Sequence, residues 1–146
     1  MYIRQSTKTD LFVFKPSRDD RLEAAAAGIA PGFPPHTECV SLVTDGDIEG
    51  TYSLLAIGGN VGDQVWFVTD QRVSRLTREE RLEFRKNIIE YRDRLHEKYP
   101  ILWNYVWVGN KSHIRFLKTI GAVFENDFTL NGTFQLFTIR RQPCAG

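Results

Sequence analysis

One long amphipathic helix set between two apolar strands constrains this 146-residue chain more than any other feature. Thr77 and Glu80 form a T-x-x-E capping box at its start, and Pro100 closes it. Leu82, Phe84, Ile88, Leu95 and Tyr99 are its apolar residues, with Arg, Lys and Glu between them, so one face belongs to a core. Before it, Val65-Trp-Phe-Val-Thr69 is apolar without alternation, the pattern of a strand buried on both faces. After it, Trp103-Asn-Tyr-Val-Trp-Val108 is a strand dense in aromatics. A helix crossing between two strands of one sheet makes those strands parallel neighbours.

The remaining elements fall around that unit. Tyr2 to Ser6 is a short strand that runs into Lys8-Thr-Asp10 and the apolar cluster Leu11 to Phe14. Ser17 is a good N-cap, with Asp19 and Asp20 in the first turn, where they favour the helix dipole. Leu22, Ala25, Ala26 and Ile29 recur at helical spacing, and Gly28 and Pro31 end that helix. The run Pro31 to Pro35 is a loop. Cys39 to Thr44 and Tyr52 to Ile57 read as strands, with a turn at Asp45-Gly-Asp47 between them. A second turn is expected at Gly58-Gly-Asn60 with Gly62-Asp63. Gly109-Asn110 leads into a short helix from Ser112 to Ile120, stopped by Gly121. Val123-Phe-Glu125 and Phe134 to Ile139 form a last hairpin turning at Asn131-Gly132. The order β-α-α-β-β-β-α-β-α-β-β predicts one domain over residues 1–146. Its class is three-layer α/β (α+β), with a mixed central sheet and helices on both faces.

Composition removes several functions. A net charge of +1 lacks the basic excess of a general polyanion binder, so no nucleic-acid signature is present. No run approaches the roughly 18–20 apolar residues of a membrane helix, and Met1 to Asp10 lacks the apolar run of a signal peptide. Cys39 and Cys144 are far apart, which predicts neither a disulfide framework nor a metal site. The chain reads as cytosolic and metal-free. Cys39 has only His36 at a nearby spacing, in a Pro-rich context, and no nucleophile or P-loop motif occurs.

The element order resembles the GNAT acyltransferase fold, with the best local match at Asn110 to Ala122. The runs LWNYVWVGN (Leu102 to Asn110), SHIRFLKTIGAVF (Ser112 to Phe124), FQLFTI (Phe134 to Ile139) and AIGGN (Ala56 to Asn60) carry a closer resemblance. They are similar to the gene 13 product family of T7-like podophages, over nearly the whole chain. What that resemblance implies is a phage origin and a small internal virion protein with a role in virion morphogenesis. Its partners would then be other phage virion or assembly proteins. It would be found in the host cytoplasm during infection and in the virion interior.

A working GNAT enzyme holds the coenzyme A pyrophosphate on a Q/R-x-x-G-x-G/A turn and the helix N-terminus after it, where glycines let the backbone approach. Here the corresponding stretch, Gln71 to Arg78, contains no glycine. From residue 71 to 86 there are instead six basic residues against three acidic. Arg72, Arg75 and Arg78 are candidates to grip phosphate by charge, beside the helix cap Thr77; the bland alternative is a solvated helix face. For acetyl-CoA, the resemblance places pantetheine against Phe67, Val68 and Thr69, with Asn110 at the facing helix. The Tyr that many GNAT enzymes use as general acid aligns with Leu117, which cannot donate a proton. His113, one turn earlier, and Tyr105, on the strand before, are the candidate substitutes. Two readings follow: a GNAT-fold virion assembly protein without catalysis, or a divergent acetyl-CoA-dependent N-acetyltransferase acting on a host or phage amine. The gap between the strands at Val65 and Trp103 discriminates. An open wedge with free backbone at Phe67 to Thr69 favours coenzyme, and a filled wedge excludes it.

Overall fold

The computed structural model describes residues 1–28 and 32–143. Ile29, Pro31 and Cys144, named above, lie outside the described residues. Chain order runs β1 (Tyr2–Gln5), α1 (Lys8–Val13), α2 (Arg18–Ala27), β2 (Val40–Asp45), β3 (Tyr52–Val61) and β4 (Gln64–Thr69). It continues through α3 (Arg78–His96), β5 (Ile101–Trp107), α4 (Lys111–Thr119), β6 (Ala122–Leu130) and β7 (Phe134–Arg140). Seven strands form one sheet in the order β1-β2-β3-β4-β5-β7-β6. Among the described residues only β4 and β5 pair in parallel, joined by α3 as the crossover requires.

Local chemistry explains where the helices begin. The Thr77 hydroxyl accepts from Glu80 N–H while the Glu80 carboxylate accepts from Thr77 N–H, so two orphan donors are satisfied at once. Thr7 and Asp10 make the same box for α1. Ser17 caps α2 and Asn110 caps α4. The last hairpin turns at Asn131-Gly132, both with positive φ, as a type I′ turn demands.

Both faces of the sheet carry core. Under α3 and α4 lie Leu102, Val106, Leu117, Ile120, Phe137 and Ile139, continuous through Ile88 with a second cluster around Leu42, Leu55 and Phe84. On the opposite face Phe14, Cys39, Val43, Leu54 and Ile57 pack with Leu11 of α1. Burying Phe84 alone is worth about 2–3 kcal/mol. The expected mixed sheet with helices on both faces is what forms.

Four local expectations need correction. Gly58, Gly59 and Asn60 are interior to β3, and the turn is Gly62-Asp63 alone. Those glycines serve close approach: a Cβ on Gly58 would lie 2.8 Å from the Trp66 carbonyl oxygen, and one on Gly59 3.0 Å from that of Glu38. Leu82 is exposed, because it sits two residues, about 200° of helix, from the buried Phe84. On α2, Leu22, Ala25 and Ala26 face solvent, and the side turned to the sheet is Asp20, Glu23 and Ala24. Finally, β4 is only half-buried along all six residues rather than covered on both faces, because its neighbour β5 leans away.

Candidate functional site

The two parallel strands meet at one register pair, Gln64↔Trp103, whereas β3 and β4 pair over six positions and β5 and β7 over seven. Beyond that rung the strands diverge, and a wedge opens toward Thr69 and Trp107. Strand periodicity fixes what faces it: Val65 O and Thr69 N–H both point into the gap, so the Phe67 backbone between them does too. Phe67 has no ladder partner on β5.

Side chains close both ends. At the narrow end Asn104 spans the gap, its Nδ2 donating to Val65 O at 2.8 Å and its Oδ1 accepting from Gln64 Nε2 at 3.3 Å. The Trp103 indole donates to Asp63 at 2.9 Å on the same seam. At the wide end, Asp20 of α2 inserts its carboxylate. Asp20 Oδ2 accepts from Thr69 N–H at 2.7 Å and from the Thr69 hydroxyl at 2.9 Å; Oδ1 accepts from Asn110 Nδ2 at 3.0 Å. One turn further along α2, Glu23 accepts from Trp107 N–H at 2.7 Å. Thus α2 supplies each diverging strand with the acceptor that the other strand would have provided in a closed ladder. Asp20 and Asn110 are buried, and burial pushes the Glu23 carboxyl above its ordinary value, against the Trp107 bond that opposes it.

Between the plugged ends, a cavity of about 180 Å³ runs along the seam, lined among others by Phe67, Tyr91, Asn104, His113, Leu117 and Phe137. Ligand pockets usually measure about 300–1,000 Å³. This one lies below that range.

The turn before α3 is equally occupied. In place of a glycine cradle there is a 3-10 helix, Gln71–Arg75. Gln71 N–H donates to Lys15 O, Arg72 N–H to the Asp70 carboxylate, and Val73 N–H to Asp70 O. Leu76 N–H goes to Val73 O and Thr77 N–H to the Glu80 carboxylate. These five donors are therefore spent within the chain, two of them on carboxylates. Arg72, Arg75 and Arg78 are exposed around this turn, and Arg72 lies 3.9 Å from Asp70.

His113 and Tyr105 both line the seam cavity, from opposite faces of the sheet. The His113 ring lies tilted against Phe67 with centroids 4.5 Å apart, on the α3/α4 side. Burial there lowers its pKa, with the Asp20 charge pulling the other way. Tyr105 alternates with the buried Leu102 and Val106, so its ring lies on the opposite face, edge-on to Trp103 at 6.3 Å. Leu117, at the position of the general acid, is buried core. Val68 packs into the cluster on the α1 side, and Thr77 and Asn110 act as helix caps. The residues sequence reasoning missed are Asp20, read as a dipole partner, and Glu23. Their signal was an Ala-rich helix with too thin an apolar stripe to dock by hydrophobic contact.

A mixed sheet that parts between its two parallel strands, beside a helix capped by Asn110, defines a GNAT-like fold. The solved structure of a mutant of the spermidine N-acetyltransferase SpeG from Vibrio cholerae matches it over 96% of this chain and 95% of that one. The TM-score is 0.52 at 12% identity, a likeness of fold alone. Sequence defines the family more narrowly. Residues 44–129 match the family described as "Bacteriophage T7, probable scaffold protein Gp13". The curated "Probable scaffold protein gp13" of Escherichia phage T7 is 57% identical over 141 residues, spanning 97% of this chain and 98% of the relative. This chain belongs to that family.

Proposed function

We propose that the chain is an assembly protein of a T7-like phage that acts by binding other virion components, with the coenzyme cleft of its fold closed rather than used. The observation that carries this reading is the Asp20 carboxylate on Thr69 N–H, where β4 would otherwise offer its backbone to a coenzyme. A cleft that receives a polyanionic ligand would not be lined at its mouth by two acidic side chains. The name of the T7 relative supports the assembly role. Its places of action on this reading are the host cytoplasm during infection and the virion interior.

Calorimetric titration of acetyl-CoA and coenzyme A into purified protein tests the closed cleft. No heat is expected at millimolar ligand, and binding in the micromolar range, about 8 kcal/mol, refutes it. Phage lacking the gene test the assembly role. Their particles should be depleted in at least one other virion protein by mass spectrometry, and particles of unchanged composition refute the role.

A further inference from the structure

The segment from Lys8 to Glu23 sorts its charges by direction. Its acids turn inward: Asp10 and Asp20 are buried, Asp19 is half-buried on the Ser112 hydroxyl at 2.7 Å, and Glu23 reaches Trp107. Its bases, Lys8, Lys15, Arg18 and Arg21, are all exposed and make no ion pair among the described residues. In sequence Phe12 at 90% exposure and Val13 at 43% stand between Lys8 and Lys15, and Leu22 at 41% follows Arg21. A chain with 19 basic and 18 acidic residues has no compositional reason for such an all-basic surface. The surface is also rigid where it matters. The Lys15 backbone is bonded on both sides, its N–H to the Asp70 carboxylate and its carbonyl to Gln71 N–H.

Resting on the assembly reading above, we infer that the outward face of α1 and α2 docks an acidic segment of another virion protein, one that sets an aromatic or aliphatic anchor among its carboxylates. Charge complementarity names the partner's sign, and an exposed Phe between cations is the arrangement of a binding anchor with a charged rim. A lipid surface fits less well, because an interfacial helix needs a broad apolar face, and α2 offers only Leu22 and alanines among its arginines. Duplex DNA would use the cations and leave Phe12, Val13 and Leu22 without a role.

The test is capture of purified protein on an array of 15-residue peptides tiling the phage's own virion proteins. Phosphatidylglycerol vesicles and duplex DNA are assayed beside it. The captured peptides should be net acidic with at least one Phe, Trp or Leu. Phe12→Ala should weaken capture about tenfold, and the reversal K8E/K15E/R18E/R21E should abolish it, with an unchanged melting temperature showing that the fold persists. Arg75→Glu with Arg78→Glu, on the other basic surface, should leave capture intact. Capture of no peptide, capture of non-acidic peptides, or indifference to the fourfold reversal overturns the inference. So does binding confined to vesicles or DNA. Each of those outcomes, with virion composition still dependent on the gene, removes this surface while leaving the assembly role standing.

Discussion

Removing the Asp20 carboxylate measures how much the fold depends on closing its own cleft. Asp20→Ala takes away three acceptor contacts, from Thr69 N–H, the Thr69 hydroxyl and Asn110 Nδ2. The hydroxyl keeps a partner, because Ser17 Oγ lies 3.1 Å away. Two donors are stranded in a buried setting, at about 1–3 kcal/mol each. Relief from burying the carboxylate offsets part of this, leaving about 2–3 kcal/mol of destabilisation. With roughly 2–4 °C lost per kcal/mol for a domain of this size, the melting temperature should fall by about 4–12 °C. Urea unfolding should show the same loss as a lower midpoint at unchanged slope. Amide exchange should accelerate at Thr69 and at Trp107, whose acceptor Glu23 rides on the same helix. Asp19→Ala, which loses the Ser112 contact and one first-turn carboxylate, is the control and should stay within about 1 kcal/mol. If Asp20→Ala also stays within that range, with Thr69 exchange unchanged, α2 is not what closes the cleft.

Three further outcomes follow from the same geometry. Burial alone would raise the Asp10 carboxyl, but bonds from Arg4, Tyr52, Thr7 and Ser41 outweigh it and hold the group well below the ordinary carboxylate range. Below about pH 5 the unfolded chain therefore takes up this proton first, so the stability it confers is complete at neutral pH and drains as pH falls. Urea midpoints from pH 7 to 3 should show a steep acid limb that Asp10→Asn flattens. Glu23 works in the opposite sense, since its raised pKa makes stability fall as pH climbs past its ordinary value. Glu23→Gln keeps an acceptor for Trp107 N–H, so it should lose no stability at pH 7 by thermal melting. Gly58→Ala should cost about 1–3 kcal/mol in urea unfolding, because its Cβ would meet both the Trp66 carbonyl and Phe67.

What the sequence disclosed depended on whether the signal was local. The capping box at Thr77 and the Asn131-Gly132 turn are written in neighbouring residues, and each appears where expected; the helix before Pro100 ends earlier, at His96, and leaves Tyr99 outside it. The parallel pairing of β4 and β5 was legible too, since a long crossover helix leaves little choice. Gly58 and Gly59 misled because close approach and turning ask for the same residue, and only the position of Trp66 across the strand separates the two. Leu82 misled because apolar identity was counted without its angle around α3. The cleft was half legible. The missing glycines and Leu117 marked departures from the acyltransferase pattern, but nothing in the order of residues placed Asp20 49 positions from Thr69 in sequence and 2.7 Å from it in space.

The tethered carboxylates of α2 change what the fold's stability answers to. A protein whose cleft holds a diffusible coenzyme gains RT ln(1 + [L]/Kd), about 2.7 kcal/mol at a hundredfold excess over Kd, and gives it back when the pool is drained. Asp20 and Glu23 are a ligand on a leash, present at an effective concentration fixed by the chain that carries them. Their occupancy does not vary with metabolism. On the closed-cleft reading proposed above, draining acetyl-CoA would leave this sheet as it is, and the same folded surface would be on offer early and late, in a thriving host and in a failing one.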